Sequence, residues 1–346
     1  MRKTTLSLII ISLLILSGCA GNKSHDTNPD SPQPLSTEFF AMDTYMKISV
    51  YDTDTNDILE DAENEIYRLD KLWSVTSENS EISQLNAKGS ISVSEDTLNV
   101  IKSALQVSSN THHSFDITIY PIVRAWGFTT GEHRVPDERE LAALIDTVNS
   151  DLIDINGTTV TLMDGMALDL GAVAKGYTSQ KVATLFMARG IKSAVLSLGG
   201  NVQTLGAKPD GSPWNIAIQD PLNTEGYVGA VKVVDKAVIT SGVYQRFFVE
   251  DGVEYHHLID PSSGKPANND LLSVTIIADE GTLADALSTA AFIMGRDAAE
   301  EFWRTNGIYD FEMILVTRDS EICITDGLRD TFSPIDTKSS LFVIER

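Results

Sequence analysis

A hairpin that runs into a proline-stiffened loop constrains this chain more than any other stretch. Two strand-like runs, 243–250 and 253–258, flank Asp251-Gly252, a dipeptide suited to the tight turns of β-hairpins. The second run leads directly into Asp260-Pro261-Ser262-Ser263-Gly264-Lys265-Pro266. Pro261 pushes Asp260 out of the helical region, and Gly264 tolerates a positive φ, so the loop is stiff. His256 and His257 stand where the strand meets this loop. A histidine held there can act as a general base, because its ordinary pKa is ~6.5. The same residues also fit a surface strand whose histidines are half-buried and satisfied.

Around this hairpin the chain mixes the two periodicities. Residues 38–51 alternate polar and apolar side chains and read as a strand. Residues 57–72 place Ile58, Leu59, Ala62, Ile66, Leu69 and Leu72 on one helical face. The stretch 73–86 reads as polar loop, 94–107 as a second amphipathic helix, and 136–148 as a third with Pro136 at its start. Asn156-Gly157 marks a hairpin between 151–155 and 158–163. A short strand, 167–170, breaks at Gly171 into a helix over 172–189, and the buried strand 194–198 ends in Gly199-Gly200. Strands over 214–219, 227–234, 237–240 and 273–278 follow, then helices over 283–294 and 298–305 and a last hairpin around 318–321. Helices and strands do not alternate strictly, so the expected class is α+β, with mixed sheets covered by helices.

The N-terminus is of another kind. Arg2-Lys3 precedes the apolar run 6–16, which is shorter than the roughly 20 residues that span a bilayer and reads as a secretory signal. Leu16-Ser17-Gly18-Cys19 resembles a bacterial lipobox, in which Cys19 is lipidated and becomes the mature N-terminus. Residues 20–37 are polar, rich in Asn, Ser, Asp and Pro, and read as a tether. The only other cysteine is Cys323, so neither a disulfide framework nor a cysteine-based metal centre is expected. The formal charge is −23, and losing residues 1–18, with Arg2, Lys3 and no acid, takes it to −25. So acidic a surface argues against nucleic acid or an anionic bilayer as partner. A phosphate-bearing ligand then needs a local device: a metal ion, a helix N-terminus or placed cations.

Two segments offer such a device. In Asp169-Leu170-Gly171-Ala172-Val173-Ala174-Lys175-Gly176 a strand end meets a helix start, where free N–H groups favour an anion and Lys175 lies on the first turn. In Thr282-Leu283-Ala284-Asp285-Ala286-Leu287-Ser288-Thr289, Asp285, Ser288 and Thr289 share a helical face, and their oxygens suit a hard cation such as Mg²⁺. Thr282 with Asp285 also fits a helix-capping box, which would turn the carboxylate away from a metal.

Taken in order, these segments resemble the FAD:protein FMN transferase (ApbE) family over about residues 38–340. The matching residues are Met42-Asp43-Thr44, Ser80 to Asn86, Phe115-Asp116-Ile117-Thr118 with Pro121 and Trp126-Gly127-Phe128, the segment 169–176, Ser197 to Asn201, Thr240-Ser241-Gly242, 257–266 and 284–289. The resemblance implies a single large domain, 38–346, with its active site in a cleft between two lobes. It also implies a Mg²⁺-dependent enzyme, with Mn²⁺ as the alternative ion, that splits FAD, places FMN on a Thr or Ser of an acceptor flavoprotein and releases AMP. By position, Asp285 and Thr289 match side-chain metal ligands, Ser288 a further ligand position, and Ala172 a backbone-carbonyl ligand. Met42, Thr76, Ser114, Phe115, Asp116, Asp169, Lys175 and Ile259 match positions lining the FAD site. His257 matches the family histidine and looks like the base for the acceptor hydroxyl, with Asp260 as the group that would orient its ring. Thr76 stands where an aromatic often stacks on the flavin, and Lys175 where some members carry an acid. The implied partner carries an Asp-Gly-x-Thr/Ser-Gly-Ala-Thr motif, and the membrane is met through the lipid anchor alone, on the extracytoplasmic side. The alternatives are a metal-dependent FAD pyrophosphatase yielding FMN and AMP, and a lipoprotein that only binds flavin.

Overall fold

Leu271–Ala278 is buried at every position, as a strand must be when layers cover both faces of its sheet. In the computed structural model, which describes residues 33–335 and 339–346, it is the sixth strand of a nine-stranded sheet. The order is Leu35–Ala41, Thr44–Val50, Ala194–Leu198, Asn201–Leu205, Ala237–Gly242, Leu271–Ala278, Phe311–Thr317, Glu321–Thr325 and Ser340–Ile344. Neighbours pair antiparallel except the last two, which run parallel. Cys19, the expected signal and residues 20–32 of the expected tether lie outside the described residues. The tether does not run to 37, because Leu35, Ser36 and Thr37 already pair with Val50, Ser49 and Ile48 in the first strand.

The two-residue period of each strand sorts the core. Ala237, Ile239, Val274, Ile276 and Met313 pack with Leu287, Ala290 and Phe292 of the helix Gly281–Met294. Val238, Ile277 and Ile314 point to the other face, where Trp214, Val231 and Phe332 cover them. Those three belong to a smaller sheet of Trp214–Gln219, Tyr227–Val233 and Phe332–Pro334. The α+β arrangement of mixed sheets and covering helices is therefore present, with a second sheet as one of the covers. From Pro34 onward the chain forms one compact unit.

Two helices meet with their backbones in contact. A Cβ on Gly176, in the helix Ala174–Ala188, would lie 2.1 Å from the carbonyl oxygen of Gly281, and one on Gly281 would lie 2.5 Å from that of Gly176. Only glycine permits this approach. Beside it, Thr282 donates from both its backbone N–H (3.1 Å) and its hydroxyl (2.8 Å) to Gln180 Oε1. The crossing lays Asp285 over the first turn of the Ala174–Ala188 helix.

Several local expectations change. The strand expected over 38–51 is two strands joined by Met42-Asp43, and the expected loop 73–86 contains the helix Glu81–Lys88, capped by Ser80. Only two of that helix's side chains, Ile82 and Leu85, are buried, too weak an apolar stripe to stand out. Pro136 precedes its helix, because Asp137 caps Glu138–Ile145 by accepting from the Arg139 and Glu140 N–H groups. Residues 167–170 supply one isolated bridge, Ala167 to Ile119, and the helix after them starts at Ala174.

Gly176→Ala should lower the unfolding free energy by about 1–3 kcal/mol, the usual penalty for overpacking. An unchanged denaturation midpoint would mean that the two helices separate freely.

Candidate active site

A cavity of about 920 Å³ opens beside two hairpin tips of the large sheet. One is Met42-Asp43, with φ of 48° and 57°; the other is Gly199-Gly200, between Leu198 and Asn201. Two positive φ values suit the turn that matches strand twist, and non-glycine residues hold them only where the surroundings insist. Thr44 packs on Gly199 so closely that a Cβ there would lie 2.3 Å from its Oγ1. A further wall comes from Ile119, Val123, Phe128 and Ile259, members of a small separate cluster around Trp126. Trp126 Nε1 donates to Gly264 O at 2.8 Å and so ties the stiff loop to that cluster. The cavity is thus a cleft between two lobes.

Asp285 lines this cleft while only 4% exposed. Its Oδ2 accepts from the Gly176 N–H at 2.8 Å and its Oδ1 from Asn201 Nδ2 at 3.0 Å. In a regular helix the Gly176 N–H would donate to the Ala172 carbonyl. It turns to Asp285 instead, and the Ala172 carbonyl has no partner among the described residues. Thr282 is engaged by Gln180 and the helix start has no side-chain cap, so the capping box does not form. Ala172, Asp285 and Thr289 all line the cleft.

These oxygens carry a single formal charge, and each carboxylate oxygen keeps a lone pair beyond its one hydrogen bond. Among the described residues no cluster of three or more His, Cys, Asp or Glu could hold a metal. The set fits a hard cation that completes its shell with phosphate or water oxygens. Ser288, expected as a further ligand, is absent from the cleft wall. It is fully buried, donates to the Asp285 carbonyl at 2.8 Å and lies 2.7 Å from Ser241 Oγ. It braces the turn that carries Asp285.

His257 also lines the cleft, half-buried. Its backbone N–H and its ring Nδ1 both meet the Arg246 carbonyl, at 3.0 and 3.1 Å. A carbonyl only accepts, so Nδ1 carries the proton and Nε2 keeps its lone pair. Burial, then the Arg246 guanidinium, push the imidazole down to about 3, which keeps it neutral. His256 is a core residue: its ring stands edge-on to Phe292, Nε2 bonds Ala267 O at 3.1 Å, and burial pushes it down to about 4. Asp260 does not orient His257. It accepts from the Ser262 N–H and from the hydroxyls of Ser262 and Ser263, and so holds the loop in shape.

The other expected residues divide. Met42, Ser114, Phe115, Asp116, Asp169, Lys175 and Ile259 all line the cleft. Asp116 spends its carboxylate on the protein, taking Thr118 N–H and hydroxyl on Oδ1 and the Ser150 N–H (3.0 Å) on Oδ2. Asp169 accepts from the Gly171 N–H at 2.7 Å, and burial raises its pKa against the pull of Arg246 and Lys175. Lys175 Nζ donates to Gly171 O at 3.3 Å. Thr76 is not on the wall; it sits exposed between two helices, its hydroxyl 3.1 Å from Ser74 Oγ. Tyr227, 52% exposed, does present an aromatic ring to the cleft. Asn201 lies in a motif noted in the sequence, but its bond to Asp285 joins segments far apart in the chain, and Arg246 meets His257 across the base of the hairpin they share.

Sequence and fold agree with known proteins. The ApbE family model matches residues 42–312. A Klebsiella pneumoniae protein named FAD:protein FMN transferase is 30% identical over 279 residues, covering 79% of this chain and 86% of its own length. A Vibrio cholerae protein of the same name is 30% identical over 296 residues, covering 83% and 87%. The crystal structure of the ApbE protein of Thermotoga maritima superposes with a TM-score of 0.80 at 31% identity, covering 86% of this chain and 98% of that one. The chain belongs to the ApbE family.

Both histidines take up protons less readily when folded than the ~6.5 of an unfolded chain, down to about 3 for His257 and about 4 for His256. The folded state then binds fewer protons below pH ~6.5, and stability falls as the pH is lowered through that window. An NMR titration of the folded protein should find both rings neutral at pH 5.5. A midpoint near 6.5 for His257 would contradict its burial beside Arg246.

Proposed function

We propose that this chain is an FAD:protein FMN transferase. It takes FAD in the cleft, attaches the FMN half through a phosphoester to a Thr or Ser hydroxyl of an acceptor flavoprotein, and releases AMP. The observation that carries the reading is a neutral His257 whose Nε2 is free in the same cleft as the buried Asp285. The acceptor oxygen attacks the phosphorus of the FMN half, and the bond from that phosphorus to the pyrophosphate bridging oxygen breaks. AMP leaves with the electron pair, and the hydroxyl proton passes to Nε2. General-base help of this kind contributes typically ~10²–10⁴-fold. Mg²⁺, or Mn²⁺ in its place, held by Asp285, Thr289 and the Ala172 carbonyl, would neutralise phosphate charge. The cleft's Met42, Ser114, Phe115, Asp169, Lys175 and Ile259 would contact FAD, while Asp116 would act by shaping the Ser114–Thr118 turn.

The test incubates residues 20–346 with FAD, Mg²⁺ and an acceptor carrying an Asp-Gly-x-Thr/Ser-Gly-Ala-Thr segment, and follows the acceptor by intact mass. One added FMN that disappears without metal is the expected result, and His257→Ala should slow it by at least about 10²-fold while FAD still binds. FMN and AMP appearing without acceptor modification would instead make the protein a pyrophosphatase, and intact FAD would make it a flavin binder.

We also propose that residues 1–18 are a signal, that Cys19 carries lipid, and that the segment from Cys19 to the start of the compact unit at Pro34 tethers the domain to the cell membrane on its extracytoplasmic side. The support is the Leu16-Ser17-Gly18-Cys19 sequence behind a short apolar run. Cys19→Ser should move the protein from the membrane to the soluble fraction; firm membrane retention of that variant would refute the lipid anchor.

A further inference from the structure

The cleft of this acidic chain contains two cations on its wall, Lys175 and Arg246. Neither takes part in an ion pair among the described residues. Arg246 is exposed to the cleft, and one guanidinium nitrogen, Nη2, donates to the Phe128 carbonyl at 2.6 Å. That bond anchors the group and leaves most of its five N–H donors without a protein acceptor. Asp169, the acid that feels the charge of Arg246, forms no ion pair with it and accepts instead from the Gly171 N–H of its own loop.

The position of this guanidinium relative to the base decides what it can meet. His257 hangs by two hydrogen bonds from the carbonyl of Arg246 itself, and the charge of Arg246 is the leading electrostatic influence on the ring. Phe128, which anchors the guanidinium, also stands edge-on to the His257 ring at 6.4 Å. A general base must lie within hydrogen-bond reach of the attacking oxygen, so the phosphorus nearest His257 is the one that receives the acceptor. We propose that Arg246 is a catalytic residue that binds the non-bridging oxygens of the FMN phosphate during transfer. This rests on the transferase reading and extends it to a residue outside the expected ligand set. A planar donor fork matches two phosphate oxygens, and charge builds on those oxygens as the acceptor bond forms. The same cation adds to burial in keeping the neighbouring imidazole neutral, so one side chain serves both the electrophile and the base.

The test compares wild type with Arg246→Met and Arg246→Lys, using riboflavin and FMN as binding probes in the presence of Mg²⁺. The two flavins differ only in the phosphate. Arg246→Met should lower affinity for FMN at least tenfold and leave riboflavin unchanged, with Arg246→Lys in between. The kcat for FMN transfer should fall by about 10²-fold or more in Arg246→Met, and the His257 midpoint should rise. An unchanged ratio of FMN to riboflavin affinity in a folded Arg246→Met protein would overturn the proposal, as would equal losses for both flavins. Wild type run alongside keeps the two readings apart: a wild type that transfers no FMN refutes the transferase, while the affinity ratio still decides the phosphate contact.

Discussion

The contact between Gly176 and Gly281 is the constraint on which the site depends. With no side chain between them, the two helices come close enough for Asp285 to reach the Gly176 N–H. A buried carboxylate is expensive unless donors surround it, and here the Gly176 N–H and Asn201 Nδ2 offset that cost. The same bond withdraws the N–H that would have closed on the Ala172 carbonyl and leaves that oxygen open to the cleft. One close approach thus sets the carboxylate, the carbonyl and the start of the Ala174–Ala188 helix together.

The second lobe does its work through the main chain. The loop closed by Pro261 and Gly264 is fastened to Trp126, and Asp260 holds it from within. The hairpin before it, Phe247–Glu250 with Val253–His256, is packed against Trp126 and Phe128 by stacked Phe248 and Tyr255. These aromatic contacts carry His257 to the cleft, and the ring needs only a carbonyl to choose its tautomer.

Much of this was legible in the residues. The hairpin at Asp251-Gly252, the amphipathic helices and the helix that carries Asp285 all announce themselves by period and turn chemistry, and the order of motifs points to the family. What escaped has a physical cause in each case. Met42-Asp43 lacks glycine and asparagine, so the turn that divides 38–51 leaves no local mark; its positive φ values come from packing. Glu81–Lys88 buries too little to show a stripe. The choice between capping and cleft for Asp285 turns on Gln180, 102 residues before Thr282, which takes both donors of Thr282. Asp260 was the natural orienter of His257 because carboxylates can be seen in a sequence and carbonyls cannot.

That last point has an evolutionary corollary. The orientation of the imidazole is written in the backbone at position 246, whereas the charge beside it is written in the side chain of the same residue. Drift or design at this codon can therefore retune the field felt by the ring without unseating it. The base would stay in place through such a change, because its tautomer is held by a group that every amino acid supplies.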